Sequence, residues 1–224
     1  MGAGSRIRVS LRRSDRRGRA CRGFGPDGLG RSVVGMTPEV RTDRLLLRGW
    51  TEADKVPYAR LNGDPEVMRH FPACLTGEQS DQMVDHMAAT WAERGWGLWA
   101  TERLDTGEFI GFIGLAAPTW HVEGLTPCLE IGWRLAKEHW GRGFAPEGAC
   151  AVLAFAFEHV GPPRNEVVSF TTTKNTNSRR VMEKIGLRFD PSRGFDHPMT
   201  PGWAGERHVV YSIDRPTWKA GVAR

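Results

Sequence analysis

Four cysteines in 224 residues, Cys21, Cys74, Cys128 and Cys150, form no Cys-x-x-Cys pair and no regular framework, so free thiols in a reducing cytoplasm are the expectation. None carries a local nucleophile signature, which disfavours a cysteine hydrolase. The longest apolar run, Ala149 to Phe157, is far short of the roughly 20 residues that span a bilayer, so no membrane partner is expected. Gly-Lys-Ser/Thr is absent, which excludes a P-loop, and no internal repeat is present. The histidines show no metal-binding spacing, so no metal is expected.

What is there is ordinary for a globular chain: 40% apolar, 25% charged, and long enough for one domain with a full core. The net charge of +5 misleads, because nine arginines against two aspartates give Met1 to Gly35 a charge of +7 and leave −2 for the remainder. A nucleic-acid role would rest on that leader alone, and nucleic acid is not the expected partner. Residues 1–35 are rich in Arg, Gly and Ser without apolar periodicity, which reads as disorder. Arg12-Arg13 and Arg16-Arg17 look like a twin-arginine signal but no apolar stretch follows, which argues against export. The leader is read as an over-extended start before Met36 or a solvated tail, with a phosphate-binding arm as the alternative. Residues 36–218 are then the folded domain and 219–224 a tail.

Arg44 to Trp50 alternates as a first strand. Thr51 caps an acid-rich first turn that leads to a helix ending at Asn62-Gly63, and Asp64-Pro65 opens a second. Thr76 caps a longer helix from Gly77 to Arg94, where Met83, Val84, Met87 and Trp91 recur at helical spacing and read as core. Gly97 to Glu102 and Phe109 to Leu115 form a hairpin through Asp105-Thr106-Gly107. Strands follow at Leu129 to Leu135, Val167 to Thr172 and Arg207 to Ile213, and helices at Pro146 to His159 and Asn175 to Lys184, with Pro191 to Gly205 as a long loop. This order implies an α/β (α+β) fold: a mixed sheet of about six to seven strands with helices on both faces.

The chain is organised around Glu130 to Ala145, a strand, a glycine turn and a helix start marked by Pro146. A helix N-terminus offers unpaired amides and roughly half a positive charge, and Gly141 and Gly143 let a phosphate reach the main chain with no Cβ in the way. Arg142 adds a cation at the rim. The glycines could also be a plain turn before a core helix. A dinucleotide fingerprint fits poorly, since Pro146 stands where Gly or Ala is required.

The third reading is a pyrophosphate loop for an acyl-CoA, and here a resemblance enters. From about Arg41 to Ile213 the chain resembles the GCN5-related N-acetyltransferases, in particular their RimJ/RimL-type branch. The matching words are Thr42-Asp43-Arg44-Leu45-Leu46-Leu47-Arg48, Asp64-Pro65-Glu66-Val67-Met68, Gly107-Glu108-Phe109-Ile110-Gly111, Glu130-Ile131-Gly132-Trp133 and Trp140-Gly141-Arg142-Gly143-Phe144-Ala145. Asn175-Thr176-Asn177-Ser178, Glu183-Lys184-Ile185-Gly186-Leu187 and Phe195-Asp196-His197-Pro198 complete them. Trp140 stands where the family usually has Gln or Arg.

The resemblance implies the fold of that family, with two central strands splayed apart, and acetyl-CoA as co-substrate. It implies that Trp133, Arg134 and Leu135 pair with the pantetheine arm, that Trp140 to Ala145 hold the diphosphate, and that Asn175 bonds the pantetheine arm or a loop carbonyl, a plain helix cap being the alternative for this Asn at a turn. Attack on a thioester needs a neutral amine, and amines of pKa about 8 to 10 are mostly protonated at pH 7, so a proton acceptor is required. Glu130, on the strand beside the acyl chain, is the candidate base; a structural carboxylate is the competing reading. Ser178 is the candidate donor to the leaving sulfur, because the position of the tyrosine used by many relatives is Met182 here; a helix-cap role is its alternative. His139, His197 and His208 are weaker bases. The acceptor is a primary amine, a protein N-terminus or a small molecule, and its pocket is expected between the early helices and the Pro191 to Gly205 loop. A non-catalytic acyl-CoA sensor and an RNA binder acting through the leader are the competing functions. Oligomeric state, a homodimer included, stays open.

Overall fold

Apolar runs such as Leu45–Leu47 and Ile110–Leu115 let the central strands bury both faces, and helix-period residues supply the layers that cover them. The computed structural model, which describes residues 8–10 and 38–222, unites the strands in one sheet. In chain order they are β1 (Arg8–Ser10), β2 (Glu39–Arg41), β3 (Leu45–Arg48), β4 (Leu98–Arg103), β5 (Phe109–Ala116), β6 (Leu129–Leu135), β7 (Glu166–Thr172), β8 (Arg188–Asp196) and β9 (Arg207–Asp214). The spatial order is β1-β2-β3-β4-β5-β6-β7-β9-β8, antiparallel throughout except between β6 and β7.

Three helices lie early in the chain: α1 (Lys55–Asn62), α2 (Pro65–Met68) and α3 (Gly77–Arg94). Their start signals work as the sequence implies. The Asp64 side chain accepts from the Glu66 amide, and Thr76 and Gln79 form a reciprocal capping box. Tyr58, Leu61, Val84 and Met87 pack with Phe112 of β5 on one face of the sheet. On the other face lies α4 (Phe144–Phe155), whose Val152, Leu153 and Phe155 join Leu45, Ile113 and Ile131, and α5 (Thr176–Lys184) joins them through Met182.

Several boundaries differ from the sequence reading, each for a local reason. The helix behind the glycine turn starts at Phe144, not Pro146, because Gly143 adopts φ +80° and serves as its N-cap. Pro146 sits third in the helix, inside the first turn, where a missing N–H costs no hydrogen bond. That helix ends at Phe155 and relaxes through a wider turn, Ala156–Val160, before Gly161. The expected loop Pro191 to Gly205 is a strand for its first part: β8 runs through Pro191 to Asp196 and pairs with β9, with the register broken between Asp190 and Phe195. An edge strand with an interrupted ladder tolerates Pro191 and Gly194, which is why those residues do not mark a loop. The true connection is 197–206.

Among the described residues the sheet has nine strands rather than six or seven, because the short edge strands β1 and β2 and the irregular β8 carry little periodic signal. Arg8–Ser10, inside the leader read as disordered, pair with Glu39–Arg41; the rest of residues 1–35, Cys21 included, lies outside the described residues. Lys219 to Val222, read as tail, belong to a last helix, α6 (Arg215–Val222), whose Trp218 stacks on Phe157 at 5.0 Å. Among the described residues no helix is long and apolar enough to cross a membrane.

Gly111 sets the approach of β5 to β6. It holds φ +131°, and a Cβ there would overlap the main-chain carbonyl of Arg134. Gly111→Ala is therefore expected to destabilise the fold by about 1–3 kcal/mol, lowering the melting temperature by several degrees in a calorimetric scan. Gly77→Ala, with open space around the new methyl group, should leave it unchanged or slightly raised.

Candidate active site

β6 and β7 are parallel neighbours for two residue pairs only, Leu129 with Val167 and Glu130 with Val168. Beyond them β6 stays with β5 as far as Leu135, and β7 stays with β9 as far as Thr172. The two strands therefore part, as the family resemblance implies, and a wedge opens between them. A cavity of about 780 Å³ fills the wedge, reaching from the α2 end of the molecule, across Glu130, to the loop carrying His197, Thr200 and Trp203. That volume suits a medium-sized organic ligand.

Glu130 stands at the apex, the last residue of β6 paired to β7. Strand alternation puts its side chain on the face of Gly132 and Arg134, and among the described residues nothing donates a hydrogen bond to it. Burial without a partner disfavours the anion and pushes its pKa up to about 8. A carboxyl poised there can exchange a proton near neutral pH.

Ser178 faces the same cavity from the first turn of α5. Its amide donates to the Asn175 Oδ1 at 3.2 Å, while its hydroxyl has no partner among the described residues. Asn175, not Ser178, is thus the helix cap. The Asn175 Nδ2 also donates to the Thr171 Oγ1 at 2.9 Å, so this side chain spends both ends on fixing the Ser178 turn.

The glycine turn has the geometry of an anion cradle. Gly141 and Gly143 hold φ +71° and +80°, and the amides of Phe144 and Ala145 open α4 without intrahelical partners. A Cβ at Gly143 would stand 3.3 Å from the Arg44 Nη2. The turn is anchored from β3: the Arg44 Nη1 donates to the Arg142 carbonyl at 2.9 Å, and the Arg44 Nε to Glu147 at 2.6 Å, which also accepts from Thr42. This neutralises an acid that would otherwise repel an anion at the helix start. Arg142 itself is exposed, with its guanidinium 5.3 Å from the Phe144 ring. Trp140, in place of the family's usual Gln or Arg, donates its indole N–H to the Leu135 carbonyl at 2.7 Å and so ties the turn to the end of β6. The anchoring roles of Thr42, Arg44 and Glu147 escaped the sequence reading, because the contacts join residues about a hundred positions apart.

One expectation needs correcting. Of Trp133, Arg134 and Leu135, only the first and last turn main-chain groups toward the wedge, since the Arg134 carbonyl faces Gly111 of β5 and alternate residues point opposite ways. Arg134 enters the cavity by its side chain instead, on the α1 face.

The remaining candidates are placed less favourably. His139 is buried, with Nε2 3.5 Å from Glu108 and Nδ1 without a partner among the described residues. His197 and His208 border the cavity with ring centroids 5.0 Å apart, packed with Phe170 and Phe195, and burial lowers both pKa values. Burial pushes the Cys128 thiol up to about 11, which leaves it a poor nucleophile. Among the described residues no group of three or more His, Cys, Asp or Glu could hold a metal ion.

Comparison with known proteins agrees with this geometry. Residues 44–188 match the family model described as an acetyltransferase (GNAT) domain. The uncharacterized N-acetyltransferase YoaA of Bacillus subtilis is 34% identical over 155 residues, 68% of this chain and 84% of that protein. The FsC-acetyl coenzyme A-N(2)-transacetylase of Aspergillus fumigatus is 32% identical over 187 residues, 81% of this chain and 78% of its own length. Among solved structures, an acetyltransferase from Agrobacterium tumefaciens superposes with a TM-score of 0.64 at 30% identity, covering 85% of this chain and all of that one.

The state of Glu130 is open to measurement. A carboxyl whose pKa rises on folding costs nothing while both states are protonated, and the cost grows as pH climbs from about 4.5 to about 8. Glu130→Gln is expected to match the parent protein near pH 4.5 and to be more stable above pH 8 by up to a few kcal/mol, read as a higher melting temperature. Parallel melting curves across that range would count against an uncompensated Glu130.

Proposed function

This chain belongs to the GNAT acetyltransferase family, and we propose that it transfers an acetyl group from acetyl-CoA to a primary amine by direct attack. The observation that carries the proposal is the unpartnered carboxyl of Glu130 where β6 and β7 part. The thioester of acetyl-CoA supplies the activated acyl group. Trp140 to Ala145 hold the diphosphate through main-chain amides, and Arg142 adds charge at the rim. The main-chain groups of Trp133 and Leu135 are turned toward the wedge, where the pantetheine arm would lie.

Glu130 takes the proton of the attacking amine, directly or through a water. With a pKa of about 8 its carboxylate form becomes available as the pH rises through that value, where the neutral fraction of a primary amine also grows. A main-chain N–H of β6 meets the oxyanion. Ser178, its hydroxyl uncommitted, donates to the departing sulfur. The RimJ/RimL-type assignment is part of the same proposal and rests on the quoted sequence words and on Ser178 with Met182 at the usual tyrosine position. A cytoplasmic setting suits the free thiols of Cys74, Cys128 and Cys150. The sensor alternative leaves a buried free carboxyl and a free hydroxyl in one cavity without a use.

Thiol release from acetyl-CoA with a panel of N-terminal peptides, polyamines and small amines tests the proposal. Glu130→Gln should lower kcat by about a hundredfold, abolish the rise of kcat/KM through pH 8 and leave acetyl-CoA affinity nearly unchanged. Gly143→Val should weaken acetyl-CoA binding by about tenfold or more in calorimetry, since φ +80° is strained for any residue with a Cβ. Unaltered binding in the second variant and an unaltered pH profile in the first would together refute it.

A further inference from the structure

Arg134 is a cation set into the cavity wall without a counter-ion. No carboxylate among the described residues pairs with it; the acidic group acting on it is the Tyr58 phenol, which burial keeps neutral. The guanidinium is held firmly all the same. Its Nη1 donates to the Asn62 Oδ1 at 2.6 Å, and Asn62 is fixed by donating from Nδ2 to the Ser80 Oγ at 2.9 Å. Asn62 and Ser80 are fully buried. Phe71 covers the guanidinium at 4.2 Å and Phe112 at 5.6 Å. Nε is sealed off with no acceptor, and Nη2 makes no bond to any described residue. Neighbouring cations at this end are satisfied: Arg69 pairs with Glu66 at 2.8 Å and Lys137 with Asp64 at 3.0 Å.

A half-buried, immobilised guanidinium without a counter-ion is costly to the fold, and an anionic ligand would offset that cost. We propose that Arg134 receives the carboxylate of the acceptor, so that the substrate is a small molecule carrying an amine and a carboxylate well apart from each other. This rests on Glu130 being where the amine reacts. Residues four apart on one face of a strand have Cα atoms about 13 Å apart, so an acceptor that reaches both side chains carries its amine and its carboxylate several bonds apart. An ω-amino acid of lysine length does so; an α-amino acid does not.

The experiment compares 6-aminohexanoate with its neutral amide, 6-aminohexanamide, using the full chain. Both thiol release from acetyl-CoA and calorimetric binding to the CoA-loaded protein are read, with alanine as the short control. The acid is expected to exceed the amide at least tenfold in kcat/KM and in affinity, and alanine to show no comparable gain. The acid-to-amide ratio should fall to near one in Arg134→Gln. It should fall likewise in Asn62→Asp, which keeps the shape and gives the guanidinium an internal counter-ion, so a misfolded first variant does not spoil the test. A ratio near one in the parent protein, or a ratio unchanged in a folded variant, overturns the assignment of Arg134. Binding discrimination without turnover of any amine upholds the carboxylate subsite and instead refutes the transferase reading.

Discussion

Two residue pairs hold β6 parallel to β7, and the site depends on their being only two. A fully paired sheet would take up the main-chain groups of Trp133 and the Leu135 amide and close the wedge. Because β6 stays committed to β5 and β7 to β9, the sheet twists apart without leaving either strand unsupported. The cavity is therefore a product of strand pairing on both sides rather than of a missing side chain. Glu130 lies at the last paired position, so its backbone is fixed by both neighbouring strands while its side chain faces the cavity.

The two ionisable groups on that face of β6 are stabilised in different ways. Among the described residues Glu130 has no donor, and burial raises its pKa to about 8, so it gains or loses a proton near neutral pH. A guanidinium has no such escape at physiological pH, so Arg134 is accommodated by the Asn62 carbonyl oxygen and the faces of Phe71 and Phe112. One group can switch charge and the other cannot. That asymmetry suits a proton-transfer role for the first and a charge-recognition role for the second.

The anion cradle shows how a fold guards a weak helix-dipole site. Glu147 falls in the first turn of α4 and its charge would weaken anion binding there if left free. Instead it accepts from Thr42 and from both the amide and the side chain of Arg44, and Arg44 in turn grips the Arg142 carbonyl. Trp140 secures the opposite end of the turn to Leu135. Side chains thus fix the cradle, while main-chain amides are left for the ligand.

Local chemistry was legible from the sequence wherever a residue acts on its near neighbours: Thr76 capping α3, Gly143 and Gly141 bending the turn, Leu129 to Leu135 forming a strand, Glu130 to Ala145 joining strand, cradle and helix. Those signals have short range, so one stretch of chain contains all that produces them. The irregular strand through Pro191 was not legible, because its pairing with β9 outweighs its own poor propensity. Nor could sequence decide that the Arg134 main chain turns to β5 and its side chain to Asn62, that Trp140 seals on Leu135, or that Glu130 is left without a donor. Each depends on which strand lies alongside and on what fills the space beyond it, and only the assembled sheet and its helices determine that.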